Sequence, residues 1–73
     1  MEINFQKYKA FLSAAETGSI TSAANRLGYT QSAVSRMIAD LEETLGMCLF
    51  ERAKSGVKLT SDGKDFLPYA KKL

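Results

Sequence analysis

Between Thr30 and Arg36 the chain gathers hydroxyl, carboxamide and guanidinium groups, and from Arg52 to Lys58 it gathers cations around a short polar stretch. Gln31 offers an amide donor and acceptor side by side, which fits the edge of an adenine. Arg36 carries forked donors that match O6 and N7 of a guanine, or a phosphate. Thr30 and Ser32 fall where a helix would begin, and hydroxyls and free N–H groups at such an end suit a phosphate oxygen. Ser35 is short enough to let a helix approach a surface closely. Arg52, Lys54 and Lys58, with Ser55 between the lysines, make a local basic patch of the kind that meets a polyanion. Plainer readings stand beside these. Arg36 and Asp40 have the i, i+4 spacing of a surface ion pair. Ser35 also reads as a tolerant surface serine, Arg52 as a partner of Glu51 or Asp62, and Lys54 and Lys58 as solvated side chains.

Other chemistries find little support. The chain has 73 residues, enough for one small domain and one modest core. Its net charge of +2 does not by itself announce a nucleic-acid binder, so the local clustering carries that argument. It contains no histidine and one cysteine, Cys48, which excludes ordinary zinc sites, histidine-based triads and an internal disulfide. No carboxylate pair has the spacing of a catalytic dyad, and no glycine-rich phosphate loop occurs. The expectation is a protein that is not an enzyme and needs no metal or cofactor. Met1-Glu2-Ile3-Asn4 does not open a signal peptide, and no apolar run has the length of a membrane span. Cys48 fits a reducing cytoplasm. It reads as a small hydrophobe beside Leu49 and Phe50, with a redox sensor as the alternative.

The elements that must position these groups follow from periodicity. Phe5, Tyr8, Phe11, Leu12 and Ala15 share one face of a helix from about Phe5 to Glu16, ended by Thr17-Gly18. A short second helix starts near Ser19, with Ser19 or Thr21 as its cap, packs through Ala23, Ala24 and Leu27, and closes at Gly28. Thr30 caps a third helix at about 31–45. Val34, Met37, Ile38, Leu41 and Leu45 form its apolar stripe, Gly46 ends it, and Ser32, Ser35, Arg36 and Ala39 face away. Leu49–Ala53 and Val57–Leu59 then read as two short strands around Lys54-Ser55-Gly56. Thr60 caps a fourth helix with Asp62 in its first turn, apolar positions at Phe66, Leu67, Ala70 and Leu73, and a bend at Pro68.

Helix, helix, helix, hairpin, helix is the order of a mainly α winged helix-turn-helix. Ala24 supplies the small residue that a steep helix crossing needs, Gly28 the tight turn, and Val34 and Ile38 the anchor of the third helix against Leu27. Such a fold puts the third helix in the major groove of double-stranded DNA and the hairpin, about 49–59, on the backbone or minor groove. Glu43 lies on the same stripe about 16 Å beyond Ser32, at 1.5 Å per residue. Its carboxylate would repel DNA, so the end of the helix leaves the groove.

The run Ala15-Glu16-Thr17-Gly18-Ser19-Ile20-Thr21-Ser22-Ala23-Ala24-Asn25-Arg26-Leu27 resembles the LysR-type transcription regulators. So do Thr30-Gln31-Ser32-Ala33-Val34-Ser35-Arg36, Leu41-Glu42, Leu45-Gly46, Leu49-Phe50-Glu51-Arg52 and Leu59-Thr60. Ser32 stands where that family often has proline, and Met47-Cys48 fills a variable pair. The resemblance implies sequence-specific operator binding as a dimer, with tetramers in full-length proteins. It places Thr30, Gln31, Ser32, Ser35 and Arg36 on the recognition helix and Arg52 on the wing. It also implies that residues 1–59 form the DNA-binding domain and that 60–73 begin a linker helix, on which Phe66, Leu67, Ala70 and Leu73 supply part of a dimer seam. A small-molecule effector would act through a further domain not contained in these residues, which implies a piece of a longer protein. Two other readings remain: the N-terminal module of a molybdate-responsive regulator, and a winged helix used for protein–protein contact.

Overall fold

The computed structural model describes residues 5–72. Four helices and one hairpin follow in the expected order: α1 (Phe5–Thr17), α2 (Ile20–Leu27), α3 (Gln31–Leu45), β1 (Phe50–Ala53), β2 (Gly56–Leu59) and α4 (Ser61–Lys71). This is a winged helix-turn-helix. The helix boundaries are set by local chemistry. Ser19 Oγ accepts the Ser22 N–H at 3.1 Å, Thr30 Oγ1 the Ala33 N–H at 3.1 Å, and Thr60 Oγ1 the Gly63 N–H at 3.0 Å. Each hydroxyl satisfies one of the donors that a helix start leaves without a helical partner. Gly28 and Gly46 close α2 and α3 in the left-handed conformation. Helix α4 runs through Pro68 to Lys71, although the proline has no N–H to give the Lys64 carbonyl.

Two packed clusters hold these elements. In the first, Ala10 and Ala14 of α1, Ala23 and Ala24 of α2, and Val34 and Ile38 of α3 are buried together. Four alanines at one crossing bring three helix axes close, the role read for Ala24 in the sequence. The second cluster buries Phe11, Leu41, Leu49 and Ala70, with Tyr8, Leu12, Leu59, Phe66 and Leu67 packed around them. Aromatic rings fill it: Phe11 lies 5.3 Å from both Phe50 and Phe66, and Tyr8 stacks on Phe66 at 5.8 Å, all centroid to centroid. Phe50 packs against both clusters.

Several expectations are corrected here. Phe5 does not join the apolar face of α1; it is 56% exposed, with the Lys9 ammonium 5.3 Å from its ring. The buried side of α1 is carried instead by Ala10, Phe11 and Ala14. Cys48 is exposed, because Leu49 takes the core position next to it. Strand β1 starts at Phe50, and Gly56 is the first residue of β2, paired with Ala53, which leaves Lys54-Ser55 as the turn. On the face of α4 assigned to a dimer seam, Ala70 is the fully buried residue among those described, and Phe66 and Leu67 are half-buried. Both pack against the chain's own second cluster. Leu73, the fourth residue of that seam, lies outside the described residues. Tyr69 occupies the outer side of α4 and is 68% exposed.

Candidate nucleic-acid interface

Burial of Val34, Ile38 and Leu41 fixes the rotation of α3 about its own axis. At about 100° per residue, Ser32, Arg36, Ala39 and Glu43 then fall within an arc of roughly 60° on the opposite side. All four are exposed, as are Thr30, Gln31 and Ser35. The surface is small and polar, with one cation. Arg36 does not pair with Asp40. That carboxylate turns instead toward Lys7 of α1, at 3.8 Å. Among the described residues Arg36 has no hydrogen bond or ion pair, so its guanidinium is available to an outside acceptor. The Thr30 hydroxyl accepts from Ala33 and retains its own proton to donate.

The wing residues Arg52, Lys54, Ser55 and Lys58 are exposed too. Lys58 reaches Glu51 across the hairpin at 3.5 Å, in register with it. That leaves Arg52 without the Glu51 partner considered for it, and it makes no ion pair with Asp62 either. Among the described residues, Arg52 and Lys54 are therefore the wing cations without an ion pair, while Lys58 already has a carboxylate beside it within the hairpin. Arg52 and Ser35 meet at one feature. A cleft of about 210 Å³ separates α3 from the wing, lined by Ser35, Ile38, Ala39 and Glu42 of the helix, by Phe50, Glu51, Arg52 and Val57 of the hairpin, and by Ile20 of α2. Gln31, Ser32, Arg36, Lys54 and Ser55 lie outside this cleft.

The wing is held at several points that periodicity did not reveal. The Val57 N–H donates to the Gly18 carbonyl at 3.0 Å, tying the hairpin to the turn between α1 and α2. Gly56 sits so close to that carbonyl that any Cβ would collide with it, which is a stronger demand for glycine than the turn itself. Gly63 is constrained likewise: a Cβ there would collide with the Leu49 carbonyl, so α4 presses its backbone onto the root of β1. The Thr60 N–H donates to Leu49 O at 3.0 Å, and the Thr60 hydroxyl donates to Cys48 O at 2.6 Å. Finally, Glu42 Oε2 accepts the Leu49 N–H at 2.6 Å and the Phe50 N–H at 3.2 Å. In the sequence Glu42 stood out only as part of the family resemblance. The usable signal was its place at the edge of the α3 apolar stripe, where a half-buried carboxylate must find donors.

Known proteins share this arrangement. Residues 5–64 match the model of the bacterial regulatory helix-turn-helix proteins of the lysR family. The HTH-type transcriptional regulator ClcR of Pseudomonas putida is 42% identical over 71 residues, 97% of this chain and 24% of that protein. YofA of Bacillus subtilis is 47% identical over 62 residues, 85% of this chain and 22% of that protein. The chain thus spans about a quarter of the length of the curated relatives it matches. Among solved structures, the CbnR DNA-binding domain bound to DNA superposes with a TM-score of 0.91 at 38% identity, covering 94% of this chain and 79% of that one. The BenM DNA-binding domain on its benA site 1 DNA gives 0.88 at 39% identity, covering 94% and 78%. With matching motifs, matching fold and relatives of this similarity, the chain belongs to the LysR family of bacterial regulatory helix-turn-helix proteins.

Proposed function

We propose that this chain binds double-stranded DNA sequence-specifically in transcription control, with α3 in the major groove and the wing on the adjacent backbone or minor groove. One observation carries the reading: Arg36 has no partner among the described residues and lies on an exposed stripe of small polar residues, and Ser35 beside it shares a cleft with the wing's Arg52. Gln31 and Arg36 read base edges, Thr30 and Ser32 meet phosphate, and Arg52 and Lys54 contact the backbone beyond. The relatives are transcriptional regulators, and two of the similar structures were solved on DNA. Residues 1–59 act as the reading module and 60–73 as the start of the linker helix of a longer cytoplasmic regulator. That regulator binds as a dimer or tetramer and takes its small-molecule effector on another domain. Among the described residues no helix is long and apolar enough to cross a membrane. An unpaired arginine on the exposed stripe disfavours a module devoted to protein contact, and the family match favours LysR over the molybdate-responsive kind.

The test is selection from random duplex DNA at two salt concentrations, with Arg36→Ala alongside. Sequence preference, weakening with salt and loss of preference in the variant are expected. A covalently linked dimer that folds and still binds no duplex at low salt would overturn the proposal.

A further inference from the structure

A carboxylate between two surfaces that meet a polyanion needs a reason. Glu42 lines the cleft that separates α3 from the wing, and so lies between the two surfaces assigned to DNA. Coulomb repulsion alone would favour a neutral residue there. The geometry supplies the reason. Glu42 Oε2 receives the Leu49 and Phe50 N–H groups at 2.6 and 3.2 Å, one residue before β1 and at its first residue. Hydrogen bonds to an ionised acceptor are short and strong, and two on one oxygen fix a distance and a direction. Among the described residues, Glu42 is the residue of α3 that hydrogen-bonds to the root of the wing; the other ties run from Gly18 and Thr60. Leu49, the residue it grips, is fully buried, so the grip is transmitted to a part of the wing that cannot shift alone.

We propose that Glu42 is the positioning residue that sets the wing against the recognition helix, so that Arg52 and Lys54 reach phosphates while Arg36 reads bases. This rests on the DNA-binding reading above. The two N–H donors also answer part of the carboxylate's charge, which lets an anion pass through the cleft.

The experiment uses this chain with Glu42→Gln and Glu42→Ala, and two duplexes carrying the sequence that the unmodified chain selects. One duplex ends at the major-groove element. The other extends about half a turn, roughly 5 base pairs, on both sides so that the wing has DNA to meet. On the long duplex the order Glu, Gln, Ala is expected to be one of falling affinity, about tenfold for Ala, with the salt slope reduced by about 1–2 as wing phosphates are lost. On the short duplex the three proteins bind alike. The amide proton resonances of Leu49 and Phe50 move to lower frequency in both variants. The sign is decisive, because removing a negative charge near DNA would tighten binding if Glu42 acted only through its charge. Tighter binding by Glu42→Gln overturns the inference. So does an equal loss on both duplexes with an unchanged salt slope, the result of a smaller folded fraction. Should Glu42→Ala fail to fold, Glu42→Gln decides alone. If the unmodified chain, linked as a dimer, binds neither duplex, the DNA reading itself fails and the inference falls with it.

Discussion

The recognition helix and the wing are fixed by different physics. Helix α3 owes its orientation to apolar packing: Val34, Ile38 and Leu41 are buried in two clusters, and its outward stripe is what remains. The wing contributes little to either cluster beyond Phe50 and Leu59, and its residues from Glu51 to Ser55 are exposed. Polar ties from Gly18, Glu42 and Thr60 position it instead. Packing resists rotation over a whole helix face, whereas each tie acts at a point. The helix should therefore tolerate loss of any polar contact, while the wing should be sensitive to single atoms at its root.

The largest effect should come from the packed side. Phe11→Ala removes a fully buried ring that touches Phe50 and Phe66, and should cost about 3–5 kcal/mol in denaturant unfolding. A loss confined to the hairpin, with the helices intact, would contradict a core shared by both parts. Gly56→Ala comes next. The methyl group meets the Gly18 carbonyl, so about 1–3 kcal/mol of strain is expected, and resonances around Gly18 and Val57 should shift while those of α3 stay in place. Arg36→Ala should leave the thermal midpoint almost unmoved. In competition binding it should weaken the preferred site by about 1–3 kcal/mol and relax the preference at one base position. The smallest effect separates the wing lysines. Lys54→Ala should flatten the salt dependence by about 0.9, the share of one phosphate. Lys58→Ala should flatten it less, because Glu51 already answers that charge.

The same division decides what could be read in the sequence. The helices and their caps were legible because Ser19, Thr30 and Thr60 are hydroxyl residues placed just before apolar periodicity, and Gly28 and Gly46 just after it. The exposed stripe of α3 followed by subtraction. Three things were not legible. Phe5 has helical spacing with Tyr8, but it sits in the first turn, beyond the reach of the second cluster. Phe66, Leu67 and Ala70 announce an apolar face without saying how much of it the chain's own core takes; Ala70 is buried there, and Phe66 and Leu67 are covered in part. Gly56 and Gly63 owe their identities to backbone atoms distant in sequence, which no local pattern encodes, and the place of Glu42 at the edge of the α3 stripe signals a need for donors without naming them. The candidate site was thus readable as a set of side chains, and much less as a spatial relation between them.

Phe50 belongs to both clusters and is also the first residue of β1. The wing root therefore cannot detach without opening the alanine-lined crossing and the aromatic cluster together. Its amide, held by Glu42, should exchange with solvent hydrogen only through global unfolding, at the rate of the slowest amides in α1 and α3. The tip at Lys54-Ser55 carries no such coupling and should exchange quickly. A hairpin that looks like an appendage is, at its base, part of the cooperative unit, and only its tip is free to adapt to what it touches.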